Sequence, residues 1–551
     1  MINSTKKMKH NILLTIGSVS AALIMSGCSD FLEVTKYGAS TTWETKDDVD
    51  RAVAALWSNV SNDSEGVTGR GIMWFECCSD NMTVGRPQAE GNQIRDFKMS
   101  PSNGRDAQDN WGAMYQINAK ANNLIKVVPT MKNLDKKYID QTVGTAYFWR
   151  GLSMLWIAPY YGDNGPNGGI PIILDTTEPV DMDSPRPASV IMNYDQIISD
   201  MAKAAELVPY FSEIPENQYG MPHKAACWAF AARAALYATQ WDKTYYSKVS
   251  EYCDKVMSIT GADKRELYTA GSNPFADLWT KANNFSSEYL FSLFGNAVDG
   301  PKFHGMSFQN GGWGLYNHWG YFQPTYGLWA AYDEKDQRRD ATILIPGQTV
   351  RFMGRDIVFG SNQYSVGSDT RMTFIKFLSP WREADCKGKE VNTNGNNASN
   401  TLGMCLIRYA DVLLMKAEAM IALNGEGDAT AKELLGKIRQ RAGLAAANDA
   451  SWKELKLQRR LELAFEFMPS RHIDLIRWGD AKETYAKPTQ KMKFHVDWDG
   501  NWSNYYTAPV VIDGPENYDE GRTFDPEINQ VFPIPVKAFD GTINLKQNIG
   551  Y

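Results

Sequence analysis

Seven aromatic rings fall within the seventeen residues from Trp313 to Trp329: Trp313, Tyr316, Trp319, Tyr321, Phe322, Tyr326 and Trp329. Gly311, Gly312 and Gly314 flank the first of them. Rings of this density serve either a core or a flat-faced ligand, and glycines leave room for the latter to approach. His318, among them, reads as a hydrogen-bonding partner. Bond-making chemistry finds less support. The sequence contains no His-Glu-x-x-His, no Gly-x-Ser-x-Gly and no Walker loop. His223, His304, His318, His472 and His495 show no metal-ligand spacing, and no Cys-x-x-Cys occurs. "DWDGNW", with Asp497, Trp498, Asp499 and Trp502, adds two more rings, but its acids do not complete a calcium loop. No cofactor or metal is expected.

These residues need a frame, and the chain is long enough to build one. It has 551 residues, 43 % hydrophobic and 22 % charged, the composition of a folded protein. Residues 1–27 stand apart from the fold. Lys6, Lys7 and Lys9 precede an apolar run from Ile12 to Met25, and Ser26-Gly27 leads to Cys28. This order is that of a secretory signal. The cysteine at its end resembles the lipobox of bacterial lipoproteins, which implies lipidation at Cys28, with Met25 where Leu is usual. Loss of the signal takes the formal charge from −7 to −10. An acidic chain without a Lys/Arg cluster argues against nucleic acid as a partner. Cys77 and Cys78 read as packed thiols, not as a bridge.

Helical periodicity dominates from residue 45. Thr45 is a possible cap for "TTWETKDDVDRAVAALWSNV", whose Val49, Ala52, Val53, Leu56 and Val60 recur at helical spacing. Further helices are expected over 106–128, 136–160 and 190–208. Residues 223–257 read as a helix rich in small residues (Ala225, Ala226, Ala229, Ala232, Ala235), a break near Trp241 to Lys243, and a second helix with Tyr245, Val249, Tyr252 and Val256. Such a pair resembles a tetratricopeptide repeat, and "IRYADVLLMKAEAMIALNGEGDATAKELLGKIRQRAGL" repeats its plan. The fold class expected is mainly α: tetratricopeptide-like helical repeat pairs over about 45–260 and 404–478. A large irregular insertion of loops and short strands covers about 261–400, and an irregular region 479–551 closes a single domain, 28–551.

In "QRRLELAFEFMPSRHIDLIRWG", Leu461, Ala464 and Phe465 form an apolar stripe, and Pro469 is expected to end the helix. Arg471, Asp474 and Arg477 are placed to pair with Glu462 and Glu466 as structural glue. That stretch, with "IRYADVLLMKAEAMI", "YFWRGLSMLWIAPYYGD" and the closing "FPIPVKAFDGTINLKQNIGY", resembles the SusD/RagB family of nutrient-binding outer-membrane lipoproteins. "FMPSRH" departs from the family's Gly-x-Arg.

The resemblance implies a non-enzymatic, lipid-anchored, surface-exposed outer-membrane protein. It implies binding of a glycan, or less often a peptide, and a hinged lid on a TonB-dependent transporter barrel. It also implies that the inserted loops hold the ligand. Rings suit that task, because Trp and Tyr cover the C–H face of a sugar with few rotatable bonds to freeze. Two or three rings together would give about 4–8 kcal/mol, a micromolar to millimolar affinity. Trp313, Tyr316, Trp319 and Tyr321 are the expected contacts, while Phe322, Tyr326 and Trp329 match a family framework segment. "DEKDQRRD", at 333–340, reads as a charged turn. The family's N-terminal ligand loop corresponds to "IMWFECCSDNMTVGRPQAEGNQ", where Trp74, Asp80, Asn81 and Arg86 have suitable chemistry. A surface glycosidase, needing two carboxylates among the 64 acids, and a ligand-free docking module are the rival readings.

Overall fold

The computed structural model describes residues 43–551 apart from 61–70, 86–88, 105, 166–167, 178–182, 184, 295–321, 353–354, 361–369, 378–390, 393–398, 401, 448, 467, 469 and 505–507. The chain divides into Met1–Val49 and Asp50–Tyr551. In the described part of the first unit, Asp48 N donates to Thr45 Oγ1 (3.2 Å) and Thr45 N to Asp48 Oδ2 (2.9 Å), so Thr45 does cap a helix start. All that follows concerns the second unit.

Its frame is a row of helices, each packed on the next: α1 (Asp106–Val127), α2 (Lys136–Tyr161), α3 (Val190–Leu207), α4 (Lys224–Ala238), α5 (Tyr246–Met257), α6 (Tyr409–Asn424) and α7 (Ala429–Arg441). α8 (Trp452–Glu462) packs on α6 and α7, and α9 (Arg471–Trp478) follows it. Asp135 caps α2 by accepting from Tyr138 N (3.2 Å). Gly151 explains how closely α3 approaches α2, since a Cβ there would lie 3.1 Å from Met201 and 3.3 Å from Asp200. The alanines of α4 are buried for the same reason, giving backbone-close contact with α3 and α5. Ala410, Leu413, Leu414, Ala417 and Ile421 of α6 join Leu434, Leu435 and Ile438 of α7 in one apolar cluster. This is the expected tetratricopeptide-like, mainly α architecture. Ile407 and Arg408, expected to open α6, instead finish a strand.

Every sheet among the described residues is two-stranded. β1 (Met82–Val84) pairs antiparallel with β3 (Phe322–Pro324), and β2 (Tyr289–Leu293) with β4 (Met404–Arg408). β5 (Gln490–Val496) and β6 (Val510–Asn517) form the longest ladder, within the region expected to be irregular.

The charged motif is structural, but its partners differ from those expected. Glu462 and Glu466 do not pair with Arg471 or Arg477. Arg408 donates Nε to Glu466 (2.7 Å) and Nη1 to both Glu288 (2.6 Å) and Glu462 (2.7 Å). Arg338 and Arg441 also reach Glu462, and Lys376 reaches Glu466. Arg459 bridges Asp411 and Asp474, while Arg477 holds Glu418. α8 ends at Glu462, before Pro469, which lies outside the described residues. Arg408 Nη2 and Lys376 Nζ take the Glu462 and Ala464 carbonyls, and Phe465 turns to φ +62°. Side-chain donors thus terminate the helix. The charged turn "DEKDQRRD" also faces inward in part, for Asp336 and Arg338 are buried against each other.

No helix among the described residues is long and apolar enough to cross a membrane. Cys77, Cys78, Cys227, Cys253 and Cys405 are free and buried.

Candidate functional site

A short buried helix, Ile72–Glu76, leads to the ladder on which the site is built. Trp74, put forward as a ligand contact, is fully buried, edge-on to Phe322 with centroids 4.8 Å apart. Gly91 lies against its indole, where a Cβ would come within 2.6 Å. No face of Trp74 is left for a ligand; the ring is core. Phe322 is core as well, as expected from the framework segment.

Glu76 ties this helix to the start of α9. It accepts from Ser79 Oγ (3.0 Å), Ser470 Oγ (3.0 Å) and Arg471 N (3.1 Å). Burial pushes its carboxyl up to about 7, against the lowering effect of the two serines. The folded value lies above the ordinary carboxylate range, so the contribution is fully present at low pH and is lost as pH rises through about 7. We expect Glu76→Gln to remove about 3 kcal/mol of that pH dependence. Thermal midpoints measured from pH 5 to 8 should fall more steeply for wild type than for the variant; parallel slopes would contradict this assignment.

Asp80 and Asn81 come next. Arg471 Nε lies 2.9 Å and Arg460 Nη2 3.0 Å from the Asp80 carboxylate. Burial alone would raise the Asp80 pKa, but these two guanidinium groups outweigh it and hold the carboxyl well below its usual range. Asn81 Oδ1 accepts from Arg460 Nε (2.8 Å), and its carbonyl accepts from Thr325 N (3.0 Å). Thr325 Oγ1 also donates to the Asp80 carbonyl (2.7 Å). Both side chains therefore anchor the loop to α8 and α9. Asp80 retains an opening onto a cavity of about 350 Å³, shared with Thr325, Arg460, Lys487, Gln490 and Arg522. The sequence reading missed the last three, which flank the base of the β5–β6 ribbon, Lys487 just before β5, Gln490 at its start and Arg522 after β6, and carry no motif.

The register of the ladder separates the candidate residues. Met82 faces Pro324, Thr83 faces Gln323 and Val84 faces Phe322. Asp80 and Asn81 precede one end. Gly85 leaves the other end toward Arg86, and Phe322 is entered there from Tyr321. Hence the loop carrying Arg86 and the segment carrying Trp313, Tyr316, Trp319 and Tyr321 attach at the same end of one three-residue ladder. Those five residues lie outside the described residues, as does Cys28. Buried Gln323 locks this end: its Nε2 donates to the Gly85 carbonyl (3.1 Å) and its Oε1 accepts from Thr370 N (2.9 Å). Tyr518 Oη reaches the Val84 carbonyl (3.3 Å). Tyr326 and Trp329 are half-buried, 5.5 Å apart, on the turn that Thr325 caps.

A larger cleft of about 690 Å³ shares no lining residue with this cavity; Tyr409, Lys264, Lys437 and Arg441 are among its walls. Trp498 and Trp502 sit at the far end of the β5–β6 ribbon.

Comparison with known proteins gives a consistent family. Residues 280–551 match the SusD family, and residues 30–236 match a family described as starch-binding associating with outer membrane. A SusD-like protein of Formosa agariphila is 22 % identical over 499 residues, 87 % of this chain and 92 % of its own length. A SusD-like protein from Bacteroides fragilis has a crystal structure that aligns with a TM-score of 0.75 at 20 % identity, covering 94 % of this chain and 99 % of that one. Surface glycan-binding protein A from Bacteroides thetaiotaomicron, solved in complex with laminarihexaose, aligns with a TM-score of 0.66 at 16 % identity, over 91 % and 99 % of the two chains.

Proposed function

Since this chain belongs to the SusD/RagB family, we propose that it is a glycan-binding outer-membrane lipoprotein, anchored through Cys28 after loss of residues 1–27. It holds an oligo- or polysaccharide at the cell surface and acts as a lid that delivers it to a TonB-dependent transporter. It carries out no bond chemistry. The contacts are Trp313, Tyr316, Trp319 and Tyr321 with Arg86; Asp80 and Asn81 hold the other end of the same ladder.

The observation that carries this reading is the pairing of Val84 with Phe322, which roots both loops at one point. An aromatic segment alone could belong to a core. Joined to a polar loop more than two hundred residues away, it gives rings for the sugar's C–H face and polar groups for its hydroxyl rim. The glycan-binding protein among the similar structures supports the ligand class. The acidic balance fits a neutral ligand better than a polyanion.

Affinity electrophoresis of the mature protein through gels containing a panel of neutral polysaccharides tests it, with a parallel assay for new reducing ends. We expect retardation by at least one glycan and no new ends. Turnover of a polysaccharide would favour the glycosidase reading. Co-purification of an outer-membrane barrel tests the lid role separately.

A further inference from the structure

The β5–β6 ribbon carries two tryptophans beyond its far end. At its base Gln490 faces Asn517, near the ladder: Met492 N donates to the Thr370 carbonyl (3.0 Å), and Tyr518 reaches Val84. At its far end Val496 faces Val510. Six residue steps at about 3.3 Å each put the tip about 20 Å from the base. There, Asp497 N donates to the Pro509 carbonyl (2.9 Å) and closes the turn.

Within the turn the backbone is fixed by its own polar side chains. Asp499 accepts from Asn501 N and from Asn504 Nδ2, both at 2.8 Å, and Asn501 Oδ1 accepts from Ser503 N (3.0 Å). Trp498 Nε1 donates to the Asn501 carbonyl (3.0 Å), which orients its ring edge-on to Trp502 at 5.3 Å. Trp502 is 67 % exposed. A large ring held in place yet two-thirds exposed forgoes most of its burial energy, and suits a surface that a ligand covers. From Phe494 to Asp513 the sequence carries Asp497, Asp499 and Asp513 and no Lys or Arg. Arg371 lies over Phe494 nearer the base (6.0 Å), but Asp497 and Asp499 in the turn have no Lys or Arg within the stretch; these carboxylates oppose uronates, sulfate esters and anionic lipid headgroups, and provide acceptors for hydroxyl groups.

We propose that the Trp498–Trp502 tip is a second contact site for a neutral sugar chain, engaging the same polysaccharide as the loops at the β1–β3 ladder. This inference rests on the glycan-binding reading above. With the tip about 20 Å along the ribbon from its base, two weak sites on one chain reinforce each other through effective concentration, provided that the ligand spans them.

The test compares wild type with Trp498→Ala/Trp502→Ala on a polysaccharide and on the trisaccharide of the same repeat, too short to bridge the distance. We expect polysaccharide affinity to fall about tenfold while trisaccharide affinity and the thermal midpoint stay unchanged. Unchanged polysaccharide affinity would overturn the inference. Equal losses on both ligands would overturn it too, by making the tip part of a single site. Wild type that binds no polysaccharide in the panel would overturn the glycan reading itself, before any variant is made.

Discussion

Replacing Arg408 with leucine is expected to destabilise the chain by about 3–5 kcal/mol. The guanidinium is fully buried, contacts Glu288, Glu462 and Glu466, and accepts no substitute from solvent. Leucine leaves three buried carboxylates with fewer partners, which costs far more than the lost side-chain volume. The pH dependence gives a signature that a simple packing defect lacks. Burial works to raise the Glu462 pKa, but Arg441, Arg408 and Arg338 together hold it well below the ordinary range. In wild type that contribution is present above the unfolded carboxylate pKa and is lost only as pH falls through the depressed folded value. Without Arg408 the Glu462 carboxyl shifts upward and protonates sooner, so the deficit should be largest near pH 7–8 and shrink toward pH 4. Urea midpoints across that range measure it. A deficit independent of pH would mean that Arg408 acts through packing alone.

The second large effect is on ligand capture. Alanine at Trp313, Tyr316, Trp319 and Tyr321 together should weaken glycan binding at least a hundredfold, since each ring contributes about 1 kcal/mol beyond burial. The thermal midpoint should change by less than for Arg408→Leu. Titration calorimetry with the glycan found by gel retardation gives the first number, and scanning calorimetry the second. Undiminished binding by the quadruple variant would move the pocket elsewhere, with the cavity beside Asp80 as the next place to examine.

The helices were legible because their signals are local. Thr45 with Asp48, the alanine face of α4 and the "NGEGD" turn each act within a few residues. The ion pairs were not, because a charge names only the sign of its partner. Glu462 was expected to face Arg471 or Arg477 nearby, and it found Arg408, Arg441 and Arg338 instead. The β5–β6 ribbon was missed for a different reason. β5 alternates Met492, Phe494 and Val496 with Lys493 and His495, but over a few residues only, and β6, mostly exposed and carrying Gly514 and Pro515, offers no matching alternation from which a pair could be read. Trp74 carried chemistry suited to a ligand, but its position one helix before the loop placed it in the core. The joining of the Arg86 loop to the aromatic segment was invisible in sequence, since β1 and β3 are three residues each and lie far apart along the chain.

That distance has a consequence for biogenesis. As the polypeptide leaves the ribosome, Trp74 and Phe75 emerge well before Phe322 and Phe532, the rings that will cover them. Asn81 must wait 379 positions for Arg460. Contacts of such span close late and slowly, so the amino-terminal third carries bare apolar surface until synthesis is nearly finished. A nascent chain halted before Arg460 should remain open to proteases around Ile72–Val84, and should need a holdase to stay out of aggregates.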